Sequence, residues 1–161
     1  FRESFRPFAP SVLREDLSDW FDLDYDSPYM LFVADVKKNI RYELKPNEQK
    51  LFGIEKLNIA RSKIPAITHV DYSARIQTVH KETNPLYHAL ISKFKELTNC
   101  PIIVNTSFNI RGEPIVCTPD DALRCFIGTH LELLVIGNYI IRKDIQKESF
   151  IKSHKKRYEL D

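Results

Sequence analysis

Glycine is scarce in this chain: four in 161 residues, with neither G-x-G-x-x-G nor G-x-x-x-x-G-K-[ST] anywhere. A Rossmann or P-loop backbone cradle for phosphate is thereby excluded, and any anion must be held mainly by side chains. Long apolar runs are absent too; none approaches the roughly 20 residues of a membrane span. The opening "FRESFRPFAP" lacks the apolar core of a secretory signal and does not start with Met, so it reads as a piece of a longer protein. Cysteine is limited to Cys100, Cys117 and Cys125, whose spacings fit no zinc pattern. They lie in or beside apolar segments and read as reduced packing residues of a cytoplasmic protein. The five histidines are scattered, with no pair at i, i+4 on one helix, and no metal site is expected. A net charge of +2 sets up no strong overall field.

What is present is the composition of one globular domain, 43% apolar and 29% charged. "SVLREDLSDWFD" places Val12, Leu13, Leu17, Trp20 and Phe21 on one side of a helix. "PYMLFVAD" reads as a strand. The charged stretch 36–62 reads as an insertion, partly loop, with a short helix near 48–57. "AITHV" and "ARIQTV" are β-rich runs flanking a turn at Asp71-Tyr72-Ser73. Asn84-Pro85 starts a helix with Asn as N-cap; its apolar stripe is Leu86, Ala89, Leu90, Phe94 and Leu97. "PIIV" lacks alternation, as an interior strand does. Thr118-Pro119-Asp120-Asp121 starts another helix, and "LELLVIG" and "YIIR" close the pattern as a hairpin around Gly137-Asn138. The order implies an α/β sheet covered by helices. Seven of the 24 basic residues fall in the last twenty positions, 142–161, six of them in a tail spanning 143–161.

Ligands of open α/β sheets gather beyond the carboxyl ends of strands, where "NTSFN" follows "PIIV". "FRESFRPFAPS" interleaves Arg2 and Arg6 with phenylalanines and prolines, and arginines in such company stack, pair or meet an anion. In "THVDYSARIQTV", alternation sets Asp71, Ser73, Arg75 and Gln77 on one side, with His69 joining them if the strand is unbroken. Arginine forks with hydroxyl and amide groups suit a phosphate. No G-x-S-x-G elbow supports nucleophilic catalysis.

"RESFRPFAPSVL", "SPYML", "IPAITHVDYSARIQTV", "NTSFNIRGEPIV" with "TPDDAL", and "LVIGNY" occur in one order. In this the chain resembles the C-terminal domain of the nodulation and antibiotic-tailoring O-carbamoyltransferases over residues 1–142, outside the variable insertion 36–62. The resemblance implies a YrdC/RibB-like twisted mixed β-sheet with helices on both faces. It implies an enzyme that binds carbamoyl phosphate and ATP as substrates and forms carbamoyl adenylate. The carbamoyl group then passes to an acceptor hydroxyl in a separate N-terminal Kae1-like domain of the same chain, the only place a metal is expected. Arg6, Arg75 and Ser107 match positions that contact carbamoyl phosphate. Arg2 belongs to a K-x-R pattern whose lysine would precede Phe1. Asn105 and Asn109 resemble an element facing the nucleotide, and His69 matches the family's "THVD". Relatives read Asp-Gly-Thr where this chain has Asp71-Tyr72-Ser73.

The resemblance implies that a substrate satisfies the polar groups after "PIIV". Partners are then small molecules and the Kae1-like domain, with a homodimer compatible and no membrane. The alternatives are a threonylcarbamoyl-adenylate synthase-like enzyme and a YrdC-like nucleic-acid-binding module using the basic tail; nucleic acid is disfavoured because the basic charge lies outside the matched motifs.

Overall fold

A computed structural model describes residues 7–110 and 112–147. Arg2, Arg6 and the tail beyond residue 147 lie outside the described residues. The chain divides into two compact units, one running to Thr106 and the other starting at Ser107.

In the first unit the strand Ser73–Val79 (β3) organises the sheet. Its neighbours are Ala9–Leu13 (β1) and Phe32–Asp35 (β2), and Ile102–Asn105 (β4) flanks β1. The order is β2-β3-β1-β4. β1 runs parallel to β3, while β2 and β4 are antiparallel to β3 and β1 respectively. The mixed sheet with flanking helices is the expected α/β class.

Both faces of the sheet are covered. Val12, Ala74, Ile76 and Ile102 join Leu17, Phe21, Ile40 and Ile67 in one core cluster. Leu13, Val79 and Ile91 form a second, against which Ile103 packs. Ile91 comes from the helix Pro85–Thr98, which starts where Asn84 Oδ1 accepts the Tyr87 N–H and ends at the left-handed Asn99. Adjacent residues Val12 and Leu13 therefore point to opposite faces and both are buried, the signature of a strand covered on each side. That corrects the helical reading of "SVLREDLSDWFD": only Leu17–Trp20 forms a single α-turn, after a 3-10 turn at Arg14–Asp16. Pro10, lacking an N–H, sits one residue before the β1–β3 ladder begins at Ser11.

Three further expectations are corrected. "AITHV" is a 3-10 turn over Pro65–Ile67 followed by a loop, because Thr68 turns its hydroxyl back to the Ile64 carbonyl at 2.8 Å. β4 is an edge strand of this sheet, with Val104 exposed, so its lack of alternation does not mark interior position. The stripe of the Pro85–Thr98 helix does not face the core: Leu86, Leu90 and Leu97 are exposed and Ile91 is the buried residue. The stretch 36–62 contains two short helices, Pro46–Gln49 and Gly53–Leu57.

In the second unit the helix Pro119–Gly128 begins with a capping box, Thr118 Oγ1 accepting the Asp121 N–H while Asp121 accepts from Thr118. Asp121 is held down at about 2, first by the Thr118 hydroxyl and then by the Thr118 N–H. Phe126 and Ile127 of this helix pack with Leu134 of the hairpin formed by Leu133–Ile136 and Tyr139–Arg142. Gly137 takes φ +54 in its tight turn, a backbone state glycine adopts without penalty.

Candidate functional site

The turn that delivers β3 is built by its own side chains. Tyr72 N–H donates to the His69 carbonyl at 3.0 Å, and His69 N–H donates to the Ser73 carbonyl at 2.8 Å. Asp71 Oδ1 accepts both the Ser73 N–H at 3.0 Å and the Ser73 hydroxyl at 2.7 Å. This side-chain turn is a common use of aspartate. Tyr72 sits at φ +66, the left-handed backbone that glycine adopts at least cost.

Residues from 36–62 brace that turn from two sides. Arg41 donates from Nε to the Val36 carbonyl at 2.7 Å and from Nη2 to Asp35 Oδ2 at 3.0 Å, while its guanidinium lies 4.9 Å from the centre of the Tyr72 ring. Arg61 is only 2% exposed. It donates to the main-chain carbonyls of Lys56 and Ile59, and at 2.8 Å to that of Thr68, immediately before His69. Its Nε has no partner, and burial pushes its pKa down. Ser62 Oγ completes the brace, 2.7 Å from Thr68 Oγ1 and accepting the Ile64 N–H. Sequence reasoning missed Arg61 and Arg41, since nothing in a charged stretch marks which arginine turns inward.

On the far side of the turn His69 is half-buried, with Nδ1 2.9 Å from Ser73 Oγ. Burial is the largest influence on the imidazole and pushes its pKa below the ordinary 6.5; Asp71 opposes this, and the charges of Arg75 and Arg61 add to it. Asp71 is held below the usual carboxylate range by the Ser73 hydroxyl and then the Ser73 N–H. Arg75, two residues along the same strand face, is exposed and forms no hydrogen bond or ion pair with a described residue. Gln77, next on that face, belongs to a knot across three strands. Its Oε1 accepts from Ser11 Oγ and Asn105 Nδ2, both at 2.6 Å, and its Nε2 donates to the Pro28 carbonyl at 3.2 Å.

In the first unit His69 meets Ser73 at one end of β3 and Asn105 meets Gln77 further along it, with Arg75 between Ser73 and Gln77 in the strand's alternation. The turn, and not continuous alternation, sets His69 and Asp71 beside Ser73. Ser107 and Asn109 belong to the second unit. Ser107 is exposed. Asn109 donates from Nδ2 to the Ile110 carbonyl at 3.2 Å and the Glu113 carbonyl at 2.9 Å. The protein itself therefore satisfies the amide donors of Asn105 and Asn109, whereas those of Arg75 and Ser107 meet no described residue.

A separate open cleft of the first unit, lined by Arg14, Glu15, His80, Lys81, Glu82 and His88, contains none of these residues. Three of its groups are paired: Arg14 with Asp26, and His88 Nε2 with Glu15 Oε1 at 2.8 Å. Among the described residues no group of three or more His, Cys, Asp or Glu is placed to hold a metal, and no helix is long and apolar enough to cross a membrane. Cys125 is buried, Cys100 half-buried and Cys117 exposed, so the packing role expected of all three does not extend to Cys117.

Comparison with known families and proteins agrees with the motifs. The family described as "Carbamoyltransferase C-terminus" matches residues 1–143, a span that includes 36–62. An uncharacterised protein of Synechocystis is 62% identical over 148 residues, 92% of this chain and 24% of its own length. The nodulation protein NolO of Bradyrhizobium diazoefficiens is 43% identical, over 88% of this chain and 23% of its own. The 3'-hydroxymethylcephem-O-carbamoyltransferase of Amycolatopsis lactamdurans is 31% identical, over 85% of this chain and 22% of its own. The chain spans about a quarter of the length of these relatives.

Proposed function

This chain belongs to the carbamoyltransferase C-terminal family, and from that premise we propose that it is the part of an O-carbamoyltransferase that binds carbamoyl phosphate and ATP and forms carbamoyl adenylate. The observation that carries the reading is Arg75: an exposed guanidinium without a described acidic partner, one step along the strand from a rigid turn bearing a half-buried histidine. A free arginine fork matches the paired oxygens of a phosphate. Ser107, Arg2 and Arg6 enter this reading through the family resemblance alone.

The reaction balances with one water. Water cleaves the acyl phosphate at the carbamoyl carbon, the C–O bond to phosphate breaks, and carbamate, inorganic phosphate and a proton result. A carbamate oxygen then attacks the α-phosphorus of ATP, and the bond to the β-phosphate bridging oxygen breaks to release pyrophosphate. Both steps shift negative charge onto leaving phosphates, and fixed cationic donors stabilise such charge without reorganising as it develops. The adenylate then gives its carbamoyl group to an acceptor hydroxyl in a Kae1-like domain upstream, which also holds the metal. The threefold greater remaining length of the relatives leaves room for such a domain. A cytoplasmic setting, where both substrates are made, belongs to the same reading.

The full-length protein, given ATP and carbamoyl phosphate, is expected to release one pyrophosphate and one phosphate per adenylate. Pyrophosphate from threonine and bicarbonate instead would replace this reading with the synthase alternative.

A further inference from the structure

The hydrogens of the His69–Ser73–Asp71 cluster can be assigned by elimination. Asp71, ionised at neutral pH, only accepts, and its Oδ1 lies 2.7 Å from Ser73 Oγ. Two oxygens at that distance require a hydrogen between them, and only the serine has one to give. Ser73 Oγ has then spent its single hydrogen and meets His69 Nδ1, 2.9 Å away, as an acceptor. Nδ1 must carry the ring hydrogen. The neutral imidazole is fixed as the Nδ1–H tautomer, and its Nε2 presents a lone pair that no described residue uses. Asp71 acts on His69 through Ser73, so both are positioning residues.

Besides the Asp71 carboxylate and the engaged Gln77 Oε1, Nε2 is an uncharged acceptor beside the strand. Arg75 donates only, and an anion site has no use for a second lone pair. A substrate combining phosphate oxygens with an amide N–H₂ needs one of each kind. Resting on the function proposed above, we propose that His69 Nε2 accepts a hydrogen bond from the carbamoyl NH₂, so that the Asp71–Ser73–His69 relay sets the preference for carbamoyl phosphate over its methyl isostere, acetyl phosphate. A site built to hydrogen-bond a substrate group rejects the analogue lacking it because its own polar atom is left unpaired. Since His69 is half-buried, the preference is about tenfold to hundredfold, below the figure for a fully dry site.

Acidity tests the same idea. The charges facing the ring are Asp71, which favours imidazolium, and Arg75 and Arg61, which oppose it. Once protonated, Nε2 becomes a donor, so the preference collapses as pH falls below the ordinary histidine range, and is full above it.

The experiment pairs long-range ¹H–¹⁵N spectra of the chain, which distinguish histidine tautomers, with calorimetric titration by carbamoyl phosphate and by acetyl phosphate. Expected are the Nδ1–H tautomer, a preference of at least about tenfold at pH 7.5, and loss of that preference in His69→Phe with acetyl phosphate binding kept. In Ser73→Ala the spectra are expected to show mixed tautomers with a reduced preference; an unchanged tautomer and preference there would overturn the relay. Equal affinity of the wild-type chain for both phosphates, or an Nε2–H tautomer, overturns this inference and leaves the proposed function standing. Binding of neither overturns both.

Discussion

Replacing Arg61 by methionine keeps the apolar stem and removes the guanidinium that ties Lys56, Ile59 and Thr68 together. The three carbonyls do not suffer equally. Those of Lys56 and Ile59 belong to half-buried residues and can turn to water, while Thr68 is fully buried. A buried carbonyl stripped of a charged donor costs about 1–3 kcal/mol, and the two outer ones add a fraction of that. Against this, the variant no longer desolvates a charge that has no carboxylate opposite it and an unpartnered Nε, which offsets part of the loss. The balance is a destabilisation of about 1–3 kcal/mol, or about 2–12 °C in Tm for a chain of this size. Urea unfolding at constant pH measures it. Because Thr68 directly precedes His69, the variant is also expected to broaden the His69 ring signals. A chain as stable as wild type, or more so, would refute the view that Arg61 is a structural brace and not merely a tolerated buried charge.

Other outcomes follow from single contacts. Tyr72→Gly releases the left-handed strain but loses the ring beneath Arg41, whereas Tyr72→Ala loses the ring and keeps the strain; the glycine variant is expected to be about 1 kcal/mol the more stable of the two by denaturation. Thr118→Ala removes an N-cap and is expected to cost about 1 kcal/mol. That penalty should be full above the ordinary carboxylate pKa of 3.8 and shrink as pH falls towards about 2, where Asp121 protonates in the folded chain. The folded imidazole of His69 refuses a proton that the unfolded one takes up near 6.5. Its contribution to stability is therefore present above that pH and lost below it, and His69→Phe should flatten the fall in stability between pH 7.5 and 5.5.

Local signals in the sequence translated directly into structure where the physics is local. Asn84-Pro85 and Thr118-Pro119 begin helices because a side-chain acceptor and a missing N–H act within one turn. Gly137 closes a hairpin for an equally local reason. β1 was illegible because a strand buried on both faces shows no alternation, and Val12, Leu13, Leu17 and Phe21 mimic helical spacing. The edge position of β4 and the outward stripe of the Pro85–Thr98 helix depend on which neighbours the fold supplies, and no stretch of sequence encodes that alone. Within the site, the polar face of β3 was visible from its period of two. The turn that brings His69 and Asp71 onto Ser73 was visible only as a turn, and its bracing by Arg41 and Arg61 was hidden among the charges of 36–62.

Calorimetric titration of the chain with carbamoyl phosphate, beside the same titration of Arg75→Ala, tests the central claim most directly. The account requires binding in the wild type and a loss of about tenfold to hundredfold in the variant. Since Arg75 is exposed and supports no described contact, the thermal midpoint should not move. Equal affinity in the two proteins would contradict it.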